Sequence, residues 1–363
     1  MISSSIHTLQ LQAQISPDEY RRLYIMHSDL HLSVTHKTTV NRQHPECKNE
    51  IYTCRQLPYY GINSITILKN KRILPNDNNI IKYYLYIDIN PYNALHNQKH
   101  SGADIIAPGE IQSAMNIIMR YLNTLLSPQT INALSLKRLD FCLNLIFPNQ
   151  TQADEYLKLL KKGVPGKVLS EKKHLDSIQH RLIPYKNALL LECKSYSFAI
   201  YPKYHQMTAR KMHNADNASG MVRFELRASK TKIAQLANKY EFPYKTGAYM
   251  DFLTNATDIS EQEIPSIVAK MVGNGNFYSY EHVMSKIEDA DLKDSEKRIM
   301  VQTVKHFSRH TSQQTLLNEL NITHQDWKRV LKKFDKIKCS PIPVPDSYQY
   351  HTYPGIAAWK SVF

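Results

Sequence analysis

The segment LKRLDFCLNLIF, residues 136–147, is the feature that most narrows the folds open to this chain. Its residues alternate in character as in a β-strand, with Leu139, Phe141 and Leu143 on one face and Asp140 and Asn144 on the other. Strands contain few aspartates, and a carboxylate that is withdrawn from water needs a compensating partner. The segment therefore predicts an internal strand whose polar face meets a basic group, a metal ion or a substrate.

Two later segments alternate in the same way. SFAIYPKYH (197–205) places Tyr201 and Lys203 on its polar face, and MVRFELRAS (221–229) places Arg223, Glu225 and Arg227 on its polar face. We expect these strands to neighbour 136–147 in one sheet. A single surface would then collect Arg138, Asp140, Asn144, Tyr201, Lys203, Arg223, Glu225 and Arg227.

This set of side chains suits one kind of chemistry. Two carboxylates, Asp140 and Glu225, can hold a hard cation such as Mg²⁺ or Mn²⁺ through oxygen. A tyrosine oxygen can attack a phosphodiester, and a nearby lysine or arginine can stabilise the developing charge. Cross-strand ion pairs and an ordinary sheet tyrosine are the structural alternative. Asp88 is a further candidate carboxylate, and the tyrosines that compete with Tyr201 are Tyr185, Tyr196 and Tyr204.

The charge balance favours a polyanionic partner. Lys and Arg number 46 against 32 Asp and Glu, which gives a net charge of +14. Such an excess is typical of nucleic-acid-binding proteins, and a protein with a merely basic surface is the alternative. We expect no membrane span, because no run of about 18 apolar residues occurs. The alternating N-terminus predicts a strand and not a signal peptide, and the scattered cysteines favour a reducing cytoplasm.

The order of elements predicts an α+β protein. Strands are expected at 3–15, near 51–56, 61–69 and 82–90, and at 135–147, with helices after Ser16, at 107–127 and at 149–163. A polar loop is expected at 164–184, and a tight turn at 193–196 joins two strands. The fold class is thus a central, mostly antiparallel sheet with flanking helices at 1–242, followed by helices at 243–340 and a tail at 341–363.

The helical region contains a pair that resembles a helix-turn-helix. Thr311 and Thr323 are each followed three residues later by a residue that completes a capping box, Gln314 and Asp326. The second helix carries a basic face that could contact DNA, and an ordinary helical hairpin with a solvated face is the alternative. The predicted DNA-contacting residues of this helix are Lys328, Arg329, Lys332 and Lys333.

Taken in order, four segments resemble a known family. LKRLDFCLNL, DEYLKLLKKGVP, SYSFAIYPKYHQM and GMVRFELRAS are similar to the replication initiation proteins of plasmids and phages from low-GC Gram-positive bacteria. The resemblance is to rolling-circle initiators of staphylococcal plasmids and to the gene II endonucleases of filamentous phages. It extends over residues 80–240 and is firmest at 136–228.

The resemblance implies a site-specific DNA nickase. It makes Asp140 a metal ligand, Tyr201 the nucleophile with Lys203 beside it, and Glu225 a second ligand next to Arg223. Arg138 and Arg227 would then contact DNA. The chain departs from many rolling-circle initiators in lacking a His-hydrophobic-His motif, since HLSVTH (31–36) has a different spacing, and in placing Pro202 after the tyrosine.

The function expected from these observations is initiation of rolling-circle replication. The protein would bind a plasmid or phage origin in the cytoplasm of a bacterial host and nick one strand with a divalent metal, with duplex origin DNA and single-stranded DNA as partners. A host helicase and a second copy of the chain are further candidate partners. A non-catalytic origin-binding initiator or DNA-binding regulator is the first alternative, and a basic scaffold or protein-binding module is the second. A tyrosine recombinase fits less well, because no Arg…His-x-x-Arg…Tyr arrangement occurs near the C-terminus.

Overall fold

A computed structural model describes residues 2–29, 34–40, 47–55, 60–73, 79–96, 105–163, 169–175, 182–244, 247–309 and 313–360. The chain divides into two compact units. Unit 1 comprises Met1–Ser3, Cys142–Leu226 and Ser260–Phe363, and unit 2 comprises Ser4–Phe141 and Arg227–Ile259. The predicted domain boundaries at residues 242 and 340 stay a prediction. The two compact units do not follow these boundaries, since unit 1 contains residues on both sides of each.

The described residues form strands and helices along their whole length. The strands are β1 (Ile2–Ile15), β2 (Val34–Val40), β3 (Cys47–Cys54), β4 (Ile62–Ile73), β5 (Asn79–Ile89), β6 (Ser135–Ile146), β7 (Ser170–Glu171), β8 (Lys173–Leu175), β9 (Leu182–Pro184), β10 (Leu189–Glu192), β11 (Tyr196–Pro202), β12 (Met221–Ser229), β13 (Phe277–Tyr278) and β14 (Thr352–Tyr353).

The helices flank these strands in the sequence. They are α1 (Pro17–Asp29), α2 (Pro91–His96), α3 (Ile111–Leu125), α4 (Pro128–Ala133), α5 (Gln150–Lys162), α6 (Lys203–Ala209), α7 (Lys230–Tyr240), α8 (Met250–Thr254), α9 (Ala256–Val272), α10 (Tyr280–Glu288), α11 (Asp294–Arg309), α12 (Gln313–Glu319), α13 (His324–Lys336) and α14 (Ile356–Lys360). No helix among the described residues combines the length and the apolar character needed to cross a bilayer.

Unit 2 is built on the strands in the order β2-β3-β4-β5-β1-β6. The pairs β2–β3, β3–β4, β4–β5 and β1–β5 are all antiparallel. One face is apolar and fully buried, as at Leu85 and Ile87 of β5. Helix α1 packs on this side, since the ring of Tyr20 lies 4.7 Å from that of Tyr83. The predicted helix after Ser16 is confirmed, and Ser16 caps it, because Ser16 Oγ accepts a hydrogen bond from the backbone N–H of Glu19 at 3.1 Å.

Unit 1 holds the strands in the order β6-β12-β11-β10-β7. The turn before β12 depends on Gly220, which has a φ of 76° and whose carbonyl accepts from the N–H of Phe147 at 2.8 Å. A Cβ at Gly220 would lie 2.3 Å from the carbonyl oxygen of Phe147, so only glycine fits there. Helix α5 starts at an Asn149 cap that accepts from the N–H of Gln152 at 2.9 Å. These local features hold β12 in its place in the sheet.

The helix pair near the C-terminus forms as predicted. Thr323 and Asp326 make the reciprocal hydrogen bonds of a capping box at the start of α13. The turn contains Asn321 with a φ of 48°, a conformation that asparagine tolerates better than most residues. The apolar side chains of both helices are buried, namely Leu316, Leu317, Trp327, Val330, Leu331 and Phe334. Thr311 and the side chain of Gln314 lie outside the described residues.

The predicted α+β class, with a mostly antiparallel sheet and a helical C-terminal region, is confirmed. Two local predictions are wrong. The strand that contains Tyr201 ends at Pro202, and Lys203 begins α6, because proline has no N–H for the ladder and its fixed φ suits a helix start. The segment 164–184, expected as a loop, contains the short strands β7, β8 and β9, since β7 pairs with β10 and β8 with β9.

Candidate functional site

The polar face of β11 and β12 in unit 1 forms a buried cluster around Tyr201. Tyr201 lies at the end of β11, and its hydroxyl donates a hydrogen bond to Glu225 Oε1 at 2.5 Å. Only 7% of Tyr201 and 8% of Glu225 are exposed. The strand that contains Tyr201 and the strand that contains Glu225 are therefore neighbours, as predicted. Their contact places a potential nucleophile against a carboxylate.

The environment of this pair controls its proton. Burial, together with the negative charge of Glu225, holds the pKa of Tyr201 well above its usual value, although the Arg223 charge opposes the shift. Tyr201 is therefore a neutral phenol at physiological pH, and it acts as a hydrogen-bond donor. Any attack by its oxygen requires that the proton be transferred as the new bond forms, and Glu225 is the acceptor already in contact.

Arg223 and Lys203 add positive charge to unit 1. Arg223 has no exposed surface, and its Nε donates to Asn144 Oδ1 at 2.9 Å. Asn144 in turn donates from Nδ2 to Ser3 Oγ at 3.3 Å. Lys203 is also buried, at the first position of α6. A buried guanidinium held by a side-chain amide is a fixed positive charge, the type of group that stabilises a phosphoryl transition state.

The other predicted residues meet in unit 2 around Asp140. The Asp140 side chain is 1% exposed and accepts from Thr8 Oγ1 at 2.5 Å. Arg138 Nε lies 3.2 Å from Asp140 Oδ1, and Arg227 Nε lies 3.3 Å from both carboxylate oxygens. The compensating partners that the mid-strand aspartate requires are thus two arginines.

Asp88 belongs to the same cluster. Arg138 Nη2 lies 3.2 Å from Asp88 Oδ1, so one guanidinium links Asp88 with Asp140. Gln10 donates to Asp88 Oδ1 at 3.1 Å, and Ser64 donates to Asp88 Oδ2 at 3.0 Å. Asp88, the further candidate carboxylate, thus has polar partners on β1, β4 and β6. The supporting residues Thr8, Gln10 and Ser64 could be found only from the alternation of β1 and β4.

The contacts of Asp140 do not fit a divalent metal ligand in this arrangement. Both of its oxygens already face guanidinium groups, and a cation would have to displace them. One oxygen of Glu225 is occupied by the Tyr201 hydroxyl. The requirement for Mg²⁺ or Mn²⁺ stays a prediction.

The alternative tyrosines have different surroundings. Tyr204 is half-buried on α6, with its ring 5.6 Å from that of His205. His205 Nε2 lies 2.9 Å from Asp154 Oδ1, a contact that the sequence did not indicate. Burial raises the pKa of Tyr196 to about 12. Among these, Tyr204 is the tyrosine with a histidine–carboxylate pair beside it.

The basic helix α13 presents most of its cations to solvent. Lys328, Arg329 and Lys332 are exposed, as predicted, whereas Lys333 is only partly exposed. Lys333 Nζ lies 2.7 Å from Glu296 Oε1, and Arg329 Nη1 lies 3.0 Å from Asp326 Oδ1. Lys333 is therefore engaged in tying α13 to α11, and Lys328 and Lys332 are better placed for a contact with phosphate.

Comparisons with known proteins add little to this geometry. No protein-family model matches the chain, and no curated protein matches it. Among solved structures, the chain is similar to a rolling circle replication initiator protein from Geobacillus stearothermophilus, with 10% sequence identity and a TM-score of 0.29. That match covers 71% of this chain and 97% of the other. A similarity this low carries no argument about function, which has to be inferred from the residues of this chain.

Proposed function

We propose that this protein is a replication initiator that binds origin DNA and nicks one strand through Tyr201. The observation that carries the proposal is the Tyr201–Glu225 hydrogen bond, made beside the buried charge of Arg223. A nucleophile in contact with a base, near a fixed positive charge, is the minimal apparatus for phosphoryl transfer.

The chemical step follows from these contacts. The phenol oxygen of Tyr201 bonds to the phosphorus of a DNA phosphodiester while Glu225 accepts the phenol proton. The bond from phosphorus to the 3′ oxygen breaks, and that oxygen takes a proton from solvent to become a 3′-hydroxyl. The products are a 5′-phosphotyrosine and a free 3′ end, from which a polymerase can extend. Because Tyr201 is nearly buried, the DNA must gain access to it before the step can occur.

DNA binding would depend on the positive excess of the chain. The net charge of +14 and the exposed cations of α13 provide sequence-independent attraction to phosphates. The predicted Mg²⁺ or Mn²⁺ would, when bound, neutralise charge on the phosphate. The attack by Tyr201 and the proton transfer to Glu225 do not involve the ion.

The test is nicking of supercoiled plasmid that carries the non-coding DNA of the protein's own replicon, with and without Mg²⁺ or Mn²⁺. We expect open circles with protein attached to the 5′ end, and an adduct that maps to the Tyr201 peptide. Tyr201→Phe should abolish the adduct, and Glu225→Gln should slow nicking by about 10²- to 10⁴-fold, the usual contribution of a general base.

Tyr204→Phe is the matched control, since it removes a hydroxyl from a tyrosine three residues away in the chain. It should nick at the wild-type rate. An adduct on Tyr204 would keep the function and reject the assignment of the nucleophile.

A non-catalytic origin-binding initiator is the second candidate. It is favoured by a specific observation, since Asp140 is enclosed by Arg138, Arg227 and Thr8 as in a structural ion-pair cluster. This candidate requires tight, sequence-specific binding to the same plasmid with no nick under Mg²⁺ or Mn²⁺. Such a result would replace the nickase proposal.

A further inference from the structure

The sheet of unit 2 has a second face that is not part of the apolar core. Register places Tyr84 and Tyr86 of β5 beside Leu68 and Thr66 of β4 on this face, opposite to the buried Leu85 and Ile87. We call it the tyrosine face. Its members are Gln12 and Gln14 of β1, Ile80, Lys82, Tyr84, Tyr86 and Asp88 of β5, Thr66, Leu68, Asn70 and Arg72 of β4, Asn49, Ile51 and Thr53 of β3, and Lys37 of β2.

The ring centroids of the two tyrosines are separated by nearly the distance that one base stacked between them requires. Tyr84 and Tyr86 are both half-buried, and their ring centroids lie 6.4 Å apart with an angle of 29° between the planes. Stacked bases are spaced by about 3.4 Å, so a base between two rings needs about 6.8 Å. The separation of the two ring centroids is close to that value.

The tyrosine pair lies between amide side chains of β1 and the side chains of Leu68 and Thr66 on β4. Gln12 lies opposite Tyr86 and Gln14 opposite Tyr84 on the neighbouring strand. The side chain of Gln12 is partly exposed, although its Oε1 is itself buried and has no hydrogen-bond partner among the described residues. The exposed amide of Gln14 can contact the edge of a base.

The same face has short rows of polar side chains across its strands. Thr53 and Thr66 join their hydroxyls at 3.0 Å, and Asn70 donates to Asn49 at 2.7 Å. These contacts fix the side chains without making the surface apolar. The face therefore combines aromatic rings with hydrogen-bonding side chains, as do sheets that hold single strands.

Charge on the tyrosine face complements a phosphate backbone. Lys37, Arg72 and Lys82 are exposed on it. The carboxylate of Asp88 is already matched by Arg138 at 3.2 Å. The face thus has a positive excess next to aromatic rings, the combination that binds single-stranded nucleic acid through phosphates and stacking together.

We propose that the tyrosine face binds single-stranded DNA and holds one base between Tyr84 and Tyr86. The choice of DNA rests on the proposed function, whereas the stacking geometry does not. A single strand is the occupant because its bases are free to leave their own stack, while a duplex keeps them paired.

The test measures binding of an oligothymidylate of about 15 nucleotides, a length within the usual site size, by fluorescence anisotropy. A second oligonucleotide carries 2-aminopurine, whose emission falls when the base stacks. Tyr84→Leu with Tyr86→Leu keeps apolar bulk on the strand and removes the rings. We expect this double variant to bind about fivefold to 150-fold more weakly and to lose the fluorescence quenching, since stacking on aromatic rings contributes on that scale.

Tyr24→Leu is the matched control, because Tyr24 is an exposed tyrosine of α1 whose ring contacts Tyr52 and not the tyrosine face. It should bind like wild type. Equal affinity and equal quenching in the double variant and the wild type would overturn the inference. A parallel titration with duplex DNA separates the two proposals: duplex binding without any single-strand binding rejects the tyrosine face alone, and failure to bind either form rejects the proposed function as well.

Discussion

Buried carboxylates are held within each unit by charged or hydrogen-bonding side chains. In unit 2 the Asp140 carboxylate lies between Arg138 and Arg227, and in unit 1 the Glu225 carboxylate accepts from Tyr201. Such pairs cost desolvation when they form, and they are damaging when one member is lost. Substitution of one member distinguishes a pair that stabilises the fold from a pair that takes part in the reaction.

Asp140→Ala should lower the free energy of unfolding by about 1–3 kcal/mol, because it removes an acceptor from Arg227 and from the Thr8 hydroxyl and leaves Arg138 paired with Asp88 only through its Nη2. The cost stays below that of a fully enclosed pair, since Arg227 is 53% exposed and can be hydrated. Urea unfolding measures the change.

Asp140→Asn is the control for this prediction, because an amide oxygen still accepts hydrogen bonds at nearly the same volume. It should lose less stability than the alanine variant. An alanine variant within about 0.5 kcal/mol of wild type would mean that the ion-pair cluster contributes nothing to the fold.

At the scale of the element, α13 is the helix in which the buried and exposed side chains follow the sequence pattern most closely. Its apolar residues Trp327, Val330, Leu331 and Phe334 are buried, and its Thr323 cap is formed. Because the buried stripe uses one side of the helix, Lys328 and Lys332 are left in solvent. The helix is thus available as a phosphate-binding element.

Lys328→Gln with Lys332→Gln should weaken duplex binding and reduce the slope of log affinity against log salt by about 1.8, since each phosphate contact contributes about 0.9. The measurement is a salt titration of binding by anisotropy. Fold and stability should not change, because both side chains are exposed.

Lys186→Gln with Lys194→Gln removes the same charge from exposed positions outside α13. This variant should keep the wild-type slope. Equal slopes in the two double variants would show that α13 attracts DNA only through net charge.

At the scale of the whole molecule, buried tyrosines make the fold sensitive to alkali. Burial raises the pKa of Tyr196, Tyr249 and Tyr348 to about 12 each. Burial and the Glu225 charge raise that of Tyr201 further. An unfolded chain loses these protons near pH 10. Above that pH the unfolded state is therefore increasingly stabilised relative to the folded state.

The stability from these hydroxyls should be complete below pH 10 and should disappear as the pH rises from 10 towards 12. Tyrosinate absorbance and circular dichroism followed together should show ionisation and unfolding in one transition. Tyr249→Phe should make the pH dependence shallower by one proton. Ionisation of all tyrosines near pH 10 with the fold intact would contradict the prediction.

Much of the local structure could be predicted from the chain. The period of two in 136–147 and 221–229 gave strands β6 and β12, and the capping pair Thr323–Asp326 gave the start of α13. The failure after Pro202 has a physical cause, because the alternation continues through Lys203 and Tyr204 while the missing N–H ends the ladder. The closeness of Tyr201 and Glu225 was expected from their faces, whereas their nearly complete burial was not.

The sequence by itself determined the class of the fold, the faces of the strands and the basic surface of α13, because periodicity, caps and charge are properties of neighbouring residues. Only the tertiary structure decided that Asp140 is held by Arg138 and Arg227, and that Tyr201 is a buried donor to Glu225. Alternation tells which side chains share a face, but strand order and register decide which of them touch. Those depend on contacts between segments far apart in the chain.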